Sequence, residues 1–110
     1  MVRFYRQIMT NQLALNTLSS EIGPEDLKSV TELAFYIVFG AGTSAGAVQI
    51  ETAHQSGYTG TWAAEGSATA WSAANKVHKV SITGMSFVTR ARISTLVVGG
   101  TVSVYAMGNG

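Results

Sequence analysis

The stretch KVHKVSITGMSFVTRARISTLVVGGTVSVYAM, residues 76–107, decides the fold class. Glycines at 84 and at 99–100 divide it into three runs, 76–83, 86–95 and 101–107. Apolar side chains occupy every second position of the last run: Val102, Val104 and Ala106. A period of two is typical of a strand with one buried face. The stretch therefore predicts three consecutive strands in an antiparallel meander, against which the rest of the chain packs.

Composition predicts a small protein that works in an assembly. The chain has 110 residues, enough for one domain with a modest core, and no cysteine for a disulfide or a thiolate metal site. Only 12% of residues are charged, 46% are hydrophobic and the net charge is +1. Because so few charges protect the surface from association, partners covering part of it are favoured over a monomer with a Ser/Thr-rich surface.

The sequence predicts neither a membrane span nor a signal peptide. The longest apolar run, 33–39, is far shorter than the ~20 residues that a membrane helix needs. Near the N-terminus, polar residues such as Gln7 and Thr10 interrupt any apolar stretch. We expect a protein that is made and used without secretion by that route.

Residues 1–12 are predicted to form an extended N-terminal arm or strand. Val2, Phe4 and Ile8 alternate with polar residues, although Arg6 interrupts the apolar side. Terminal segments are disordered unless something holds them, and aromatic side chains such as Phe4 are costly to leave loose. The arm is therefore expected to dock either on its own sheet or on a neighbouring molecule.

Residues 13–110 are predicted to form one compact antiparallel β-sandwich. The apolar run Glu32–Phe39 favours a central strand covered on both faces, and alternation predicts a strand over 47–53, joined to the first by a glycine-rich hairpin turn. Shorter strands are predicted at 62–65 and 67–71, and residues 24–28 fit a helical turn or an acidic loop. Strands this short and evenly spaced indicate an all-β sandwich, with a jelly roll as one arrangement.

No catalytic, nucleotide or metal signature is present. The glycines at 40, 42 and 46 lack the spacing of a dinucleotide loop and the lysine of a P-loop, so a turn is favoured. His54 and His78 are the only histidines and lie far apart, which disfavours a metal site, and no Gly-x-Ser-x-Gly elbow occurs. We predict a non-enzymatic protein without a cofactor.

Two groups of side chains remain as candidate binding residues. Tyr58, Trp62 and Trp71 suit a sugar-binding platform, although tryptophan is more often buried in a core. Arg90 and Arg92 share one face of a strand. They are too few for a nucleic-acid footprint, which leaves a solvated face, ion pairs, or contact with a partner's carboxylate.

From about residue 31 to residue 107, the chain resembles small tailed-bacteriophage proteins encoded among head-morphogenesis genes. The resemblance rests on six phrases: FGAGTSAG at 39–46, ETAH at 51–54, YTGTW at 58–62, VHKV at 77–80, RARIS at 90–94 and GGTV at 99–102. It covers about two thirds of the chain and includes no active site.

The resemblance implies a capsid decoration, or cement, protein on the virion surface, made in the host cytoplasm. The implied partners are the major capsid protein and copies of the chain itself, as a dimer or trimer, with no nucleic acid and no membrane. A carbohydrate-binding module and a tail or neck component are the alternatives. The candidate interface residues are the following: Val2, Arg3, Phe4, Tyr5, Arg6, Ile8, Tyr58, Arg90 and Arg92.

Overall fold

The computed structural model describes residues 2–28, 30–83 and 88–110, which form eight strands and no helix. The strands are β1 Val2–Gln12, β2 Glu32–Phe39, β3 Ala45–Ala53, β4 Ala63–Ala64, β5 Thr69–Ala70, β6 Val77–Thr83, β7 Val88–Val98 and β8 Val102–Asn109. Two antiparallel sheets pack face to face, so the predicted all-β sandwich is confirmed.

The predicted strand positions are close to those of the structure. The bounds of β2 are those predicted, β3 begins two residues earlier than expected, and β7 and β8 each run a few residues further. The predicted break at Gly84 and the predicted start of the middle strand, Ser86 and Phe87, lie outside the described residues. Residues 24–28 form hydrogen-bonded turns, in which the N–H of Leu27 donates to the Pro24 carbonyl.

The predicted meander is wrong, because its three strands do not pair with one another. Sheet A has the order β1-β8-β2-β6, whereas β7 lies in sheet B beside β3. Alternation along a strand reports that one face is buried, but it does not identify the neighbouring strand. Here β6, β7 and β8 alternate between the two sheets of the sandwich, which buries one face of each equally well.

The predicted hairpin between β2 and β3 is also wrong. β2 belongs to sheet A and β3 to sheet B, so residues 40–44 cross from one sheet to the other. This crossing packs against the turn between β7 and β8: the N–H of Gly40 donates to Thr101 O at 2.8 Å, and that of Ser44 to Val98 O at 2.8 Å. Gly42 and Gly99 both have positive φ and lie backbone to backbone at this crossing.

In sheet B, β4 and β5 occupy the same edge of β3. Glu51 pairs with Arg90 on one side and Ala64 on the other, and Ala47 pairs with Thr95 on one side and Ala70 on the other. The edge of β7 that faces away from β3 is bordered by residues 13–22. The N–H of Asn16 donates to Ile93 O, and Ile22 and Thr89 exchange two backbone hydrogen bonds.

The N-terminal residues dock on their own sheet. β1 pairs with β8 from Val2↔Asn109 to Gln12↔Val102, so it is an edge strand of sheet A. Its Ile8 and Met9 are 4% exposed and belong to the core between the sheets. Of the two dockings expected for these residues, on their own sheet or on a neighbouring molecule, the structure shows the first, and residues 2–12 are an integral part of the sandwich.

Candidate partner-binding face

The outer face of sheet A displays residues in cross-strand rows. One row consists of Gln7, Tyr105, Tyr36 and Lys79, which are paired successively from β1 to β6. Cross-strand partners share a face, and the residues that alternate with them, such as Phe35 and Ile37, are fully buried in the core. This row therefore faces away from the core.

The two neighbouring rows are also weakly polar. Tyr5 pairs with Met107, and Met107 pairs with Ala34 of β2. On the other side Val38 lies opposite Val77, which is 55% exposed. We call this surface the tyrosine face and define it by six residues: Tyr5, Tyr36, Val38, Val77, Tyr105 and Met107.

Tyr5 is the most exposed residue of the tyrosine face, and its ring lies beside that of Tyr105. Their ring centroids are 6.2 Å apart and their planes differ by 17°, so the rings lie nearly parallel. Tyr5 is 63% exposed, whereas Tyr105 and Tyr36 are half-buried. Tyrosine combines a rigid apolar ring with a hydroxyl that donates and accepts hydrogen bonds, so such a surface suits a protein partner or a sugar ring.

Of the candidate residues on β1, four are exposed: Val2, Arg3, Tyr5 and Arg6. Phe4 packs against the core, and the guanidinium of Arg6 lies 4.9 Å from the centre of the Phe4 ring. The Nη2 of Arg6 also donates to Asp26 Oδ1 at 2.6 Å. Phe4, Arg6 and Ile8 thus hold β1 in place, and Tyr5 is the candidate residue that belongs to the tyrosine face.

The Asp26 carboxylate links the turn at 24–28 to β1. Burial alone would raise the pKa of Asp26, but the hydrogen bond from Arg6, the N–H of Gly23 and the Arg6 charge together hold that pKa below its usual value. The ionised carboxylate is therefore the form that the folded protein stabilises.

Arg90 and Arg92 are bound to a carboxylate of their own chain. Arg90 Nε donates to Glu51 Oε1 at 3.1 Å and Arg92 Nε donates to Glu51 Oε2 at 2.8 Å. Arg92 Nη1 also donates to Asn16 Oδ1, which attaches the 13–22 segment to sheet B. The Glu51 side chain is 7% exposed, so this is a largely buried ion-pair cluster on the side of sheet B that faces away from the core.

The aromatic residues predicted for a sugar platform do not form one. Trp62 is 5% exposed, its ring is stacked on Arg90, and its indole N–H donates to Tyr58 O at 2.8 Å. Trp71 packs against the core, and Tyr58 makes an edge contact with His54 at 4.8 Å between ring centroids. Burial, which the sequence favoured for the tryptophans, is confirmed for Trp62, although its ring is buried against Arg90 on the outer side of sheet B and not between the two sheets.

Sequence reasoning missed Tyr36, Tyr105 and Met107 as surface residues. The signal was present in the period-two alternation: Ser103 and Tyr105 occupy the positions that alternate with Val102, Val104 and Ala106. The alternation does not predict the register between strands, which brings Tyr36 of β2 opposite Tyr105 of β8. Without that register, the continuous apolar run of β2 indicated burial on both faces, whereas Tyr36 and Val38 are only half-buried.

The described residues contain no cluster of three or more potential metal ligands. Within the same part of the chain, no helix has the length and hydrophobicity to span a membrane. Comparison of the chain with protein-family models gives no match, and comparisons with curated proteins and with solved structures give none either.

Proposed function

We propose that the protein is a non-enzymatic structural component of a bacteriophage virion, which decorates the capsid and stabilises it by clamping neighbouring major capsid proteins. The tyrosine face is the single observation on which the proposal depends most. Contiguous exposed apolar patches on a small domain mark interaction sites, and tyrosine is among the residues that contribute most to binding energy. The resemblance to small phage head proteins supplies the identity of the partner.

The strand order supports a jelly roll as the finer description of the fold. Counting residues 13–22 as an irregular strand, and β4 with β5 as one position, gives eight positions along the chain. These positions pair first with last, second with seventh, third with sixth and fourth with fifth. This is the pattern of one long hairpin rolled into two sheets. Double-sheet jelly rolls of eight strands occur in viral capsid proteins and in lectins.

Docking through a sheet face is favoured over addition of a strand at a sheet edge. The pairing of β1 is interrupted by three register shifts, and β6 at the opposite edge of sheet A contains the exposed Lys79. Bulges and lysines on edge strands oppose pairing with further chains. In sheet B, residues 13–22 already occupy the outer edge of β7.

Decoration stabilises a capsid by mass action. A protein that binds the assembled shell, and not the free subunits, shifts the equilibrium toward the intact particle. A site that spans two neighbouring capsid proteins exists only after assembly. In this proposal the protein resides on the virion surface, with the capsid protein and copies of itself as partners.

The first test is whether purified virions contain the chain, measured by gel electrophoresis and mass spectrometry. Its absence from particles would overturn the proposal. A map of the particle then distinguishes the shell from a tail or neck position, because density on the capsid lattice is expected only for a decoration protein.

The second test addresses the tyrosine face directly. A Tyr5→Ser, Tyr105→Ser variant is expected to bind particles at least about tenfold more weakly while staying folded, since truncating interface tyrosines commonly costs 1 kcal/mol or more. The matched control is Tyr58→Ser, which removes a tyrosine outside this face. Loss of binding in the control alone would transfer the interface to the loop around Tyr58.

Glycan binding by the same surface is a second candidate function. The nearly parallel rings of Tyr5 and Tyr105 favour it, because exposed aromatic rings stack against sugar rings. A glycan array distinguishes the two functions: binding of a glycan that is lost in the double tyrosine variant supports the lectin function, and no signal on the array removes it.

A further inference from the structure

Residues 13–18 and the C-terminal end of β7 carry a second group of exposed apolar side chains. Four leucines and a valine near the 13–22 segment are each between 46% and 53% exposed. We call this group the leucine patch; it consists of Leu13, Leu15, Leu18, Leu96 and Val98. None of these side chains belongs to the tyrosine face, and as aliphatic groups they form no ion pairs.

The leucine patch is held in place by backbone hydrogen bonds. The N–H of Val97 donates to Leu13 O at 3.1 Å, and Val97 lies between Leu96 and Val98 in the sequence. This bond holds the backbone of Leu13 next to the segment of β7 that carries both residues. The N–H groups of Asn16 and Ile93 donate to the carbonyls of Ile93 and Thr17. The backbone that carries the patch is therefore held at the edge of sheet B.

We propose that a second copy of this chain covers the leucine patch, forming a two-fold symmetric contact of like patch against like patch. The proposed function includes association between copies of this chain, and the leucine patch is the surface that would mediate it. The inference depends on the proposed function in this respect alone. Because the leucine patch is aliphatic, it presents no side-chain polar group that would need a specific partner, so it is complementary to itself.

Charge favours a second copy over a strongly charged partner. The whole chain has a net charge of +1, so two copies repel each other only weakly. Arg92 pairs with Leu18 across the sheet edge, but its guanidinium is held by Glu51 and Asn16. No charged residue belongs to the patch itself.

The area of the patch is compatible with a two-fold contact. Five aliphatic residues, each about half exposed, present roughly 400 Å² of surface. A standard interface buries about 800 Å² per partner, a little over half of it apolar. The polar residues that border the patch, such as Asn16, Thr17 and Thr95, would supply the rest as a rim.

The test uses the purified chain in solution without any particle, so its failure leaves capsid binding untouched. Sedimentation equilibrium over a wide range of protein concentration is expected to show a monomer–dimer equilibrium. A Leu15→Glu, Leu96→Glu variant is expected to weaken dimerisation by about a hundredfold or more, because each charge would be buried without a partner. A monomer at every concentration, or an unchanged dimer in the variant, would overturn the inference.

Two controls separate the proposed contact from other modes of association. Circular dichroism verifies that the variant is folded, and Tyr5→Ser is expected to leave the dimer unchanged. If Tyr5→Ser and the double leucine variant both weaken association, the leucine patch meets the tyrosine face of another copy, which is a head-to-tail contact that does not close at two molecules. That result would contradict the two-fold arrangement.

The absence of cysteine from the sequence permits a cross-linking experiment that does not depend on loss of binding. A set of single cysteine variants at Leu13, Leu15, Leu18 and Leu96 is expected to include at least one that forms a covalent dimer under mild oxidation, since a two-fold axis through the patch brings the residues nearest to it close to their own copies. Lys79→Cys, on the exposed opposite sheet, is the matched control. Yields of dimer from the whole set that do not exceed the yield from the control would count against the leucine patch as the interface.

Discussion

The guanidinium carbon of Arg90 lies 3.9 Å from the centre of the Trp62 ring. Arg90 also forms an ion pair with the buried Glu51 carboxylate, and Arg92 forms a second ion pair with the same carboxylate. One carboxylate thus pairs with two arginines, and the stacking of Trp62 on Arg90 attaches the long loop after β3 to sheet B. This cluster is a structural support, because its charged groups are directed at one another.

Glu51→Gln is expected to destabilise the fold by about 3 kcal/mol, since it leaves two poorly solvated guanidinium groups without a negative partner. Urea denaturation measures the change in the free energy of unfolding. Glu65→Gln is the matched control, because Glu65 lies nearby on the half-exposed end of the loop and has no ion pair in the described part of the chain. Similar losses in both variants would contradict the role given to Glu51.

Deletion of residues 1–8 is expected to unfold the protein or destabilise it severely. The deletion removes most of the β1–β8 pairing and the buried side chain of Ile8, whose carbonyl also accepts from the N–H of Ser20. Thermal unfolding followed by circular dichroism measures the effect. A control deletion of Met1 and Val2 alone should have little effect, and an unfolding temperature that the longer deletion leaves unchanged would contradict an integral β1.

Stability is expected to fall in mildly acidic solution because of His78. Burial, aided by the Lys76 charge, lowers the pKa of His78, whose Nε2 is buried without a hydrogen-bond partner. The unfolded chain then binds a proton more readily than the folded one, so stability is full above about pH 6.5 and is lost as the pH falls through that value toward the folded pKa. Denaturation midpoints across pH measure this loss.

His78→Leu is expected to remove that pH dependence, since His78 faces the core beside Phe39 at 5.7 Å between ring centroids. The comparison variant is His54→Gln, which changes the one other histidine, on the exposed loop after β3. A pH dependence of stability that persists in His78→Leu and disappears in His54→Gln would contradict the role given to His78.

Two glycines of similar φ allow a matched test of the crossing between the sheets. Gly99 has φ of 85° and an added Cβ would collide with the Gly42 carbonyl oxygen, whereas Gly66 has φ of 71° and open space around it. Gly66→Ala is expected to cost about 1 kcal/mol from backbone strain alone. Gly99→Ala is expected to cost at least about 2 kcal/mol more, measured by urea denaturation; equal costs would contradict a tight backbone contact.

The strands could be predicted from the sequence because their side-chain pattern is local. The bounds of β2 follow from one apolar run that ends at Gly40, and those of β8 from alternation after Gly99 and Gly100. Strand partners could not be predicted in this way. Residues far apart in sequence must meet to form β7 beside β3, and several pairings bury the same face of β7 equally well.

The candidate site depended on the same missing information. Arg90 and Arg92 were predicted to share one strand face, and they do, but their carboxylate partner Glu51 lies on β3, almost forty residues earlier. The tyrosine face likewise requires the register of Tyr5 and Tyr36 relative to Tyr105. The alternation of side chains therefore predicts which residues face outward, but it does not predict which of them share a surface.

The pairing of β1 with β8 has a consequence for synthesis on the ribosome. Val2 lies opposite Asn109, so sheet A cannot close until β8 has emerged through residue 109. Until then β1 and β2 lack their common neighbour, and the apolar side chains of sheet A stay exposed. Such non-local pairing slows folding. The sandwich is therefore expected to fold only after residue 109 has left the ribosome, with chaperones shielding the apolar side chains of sheet A in the interval.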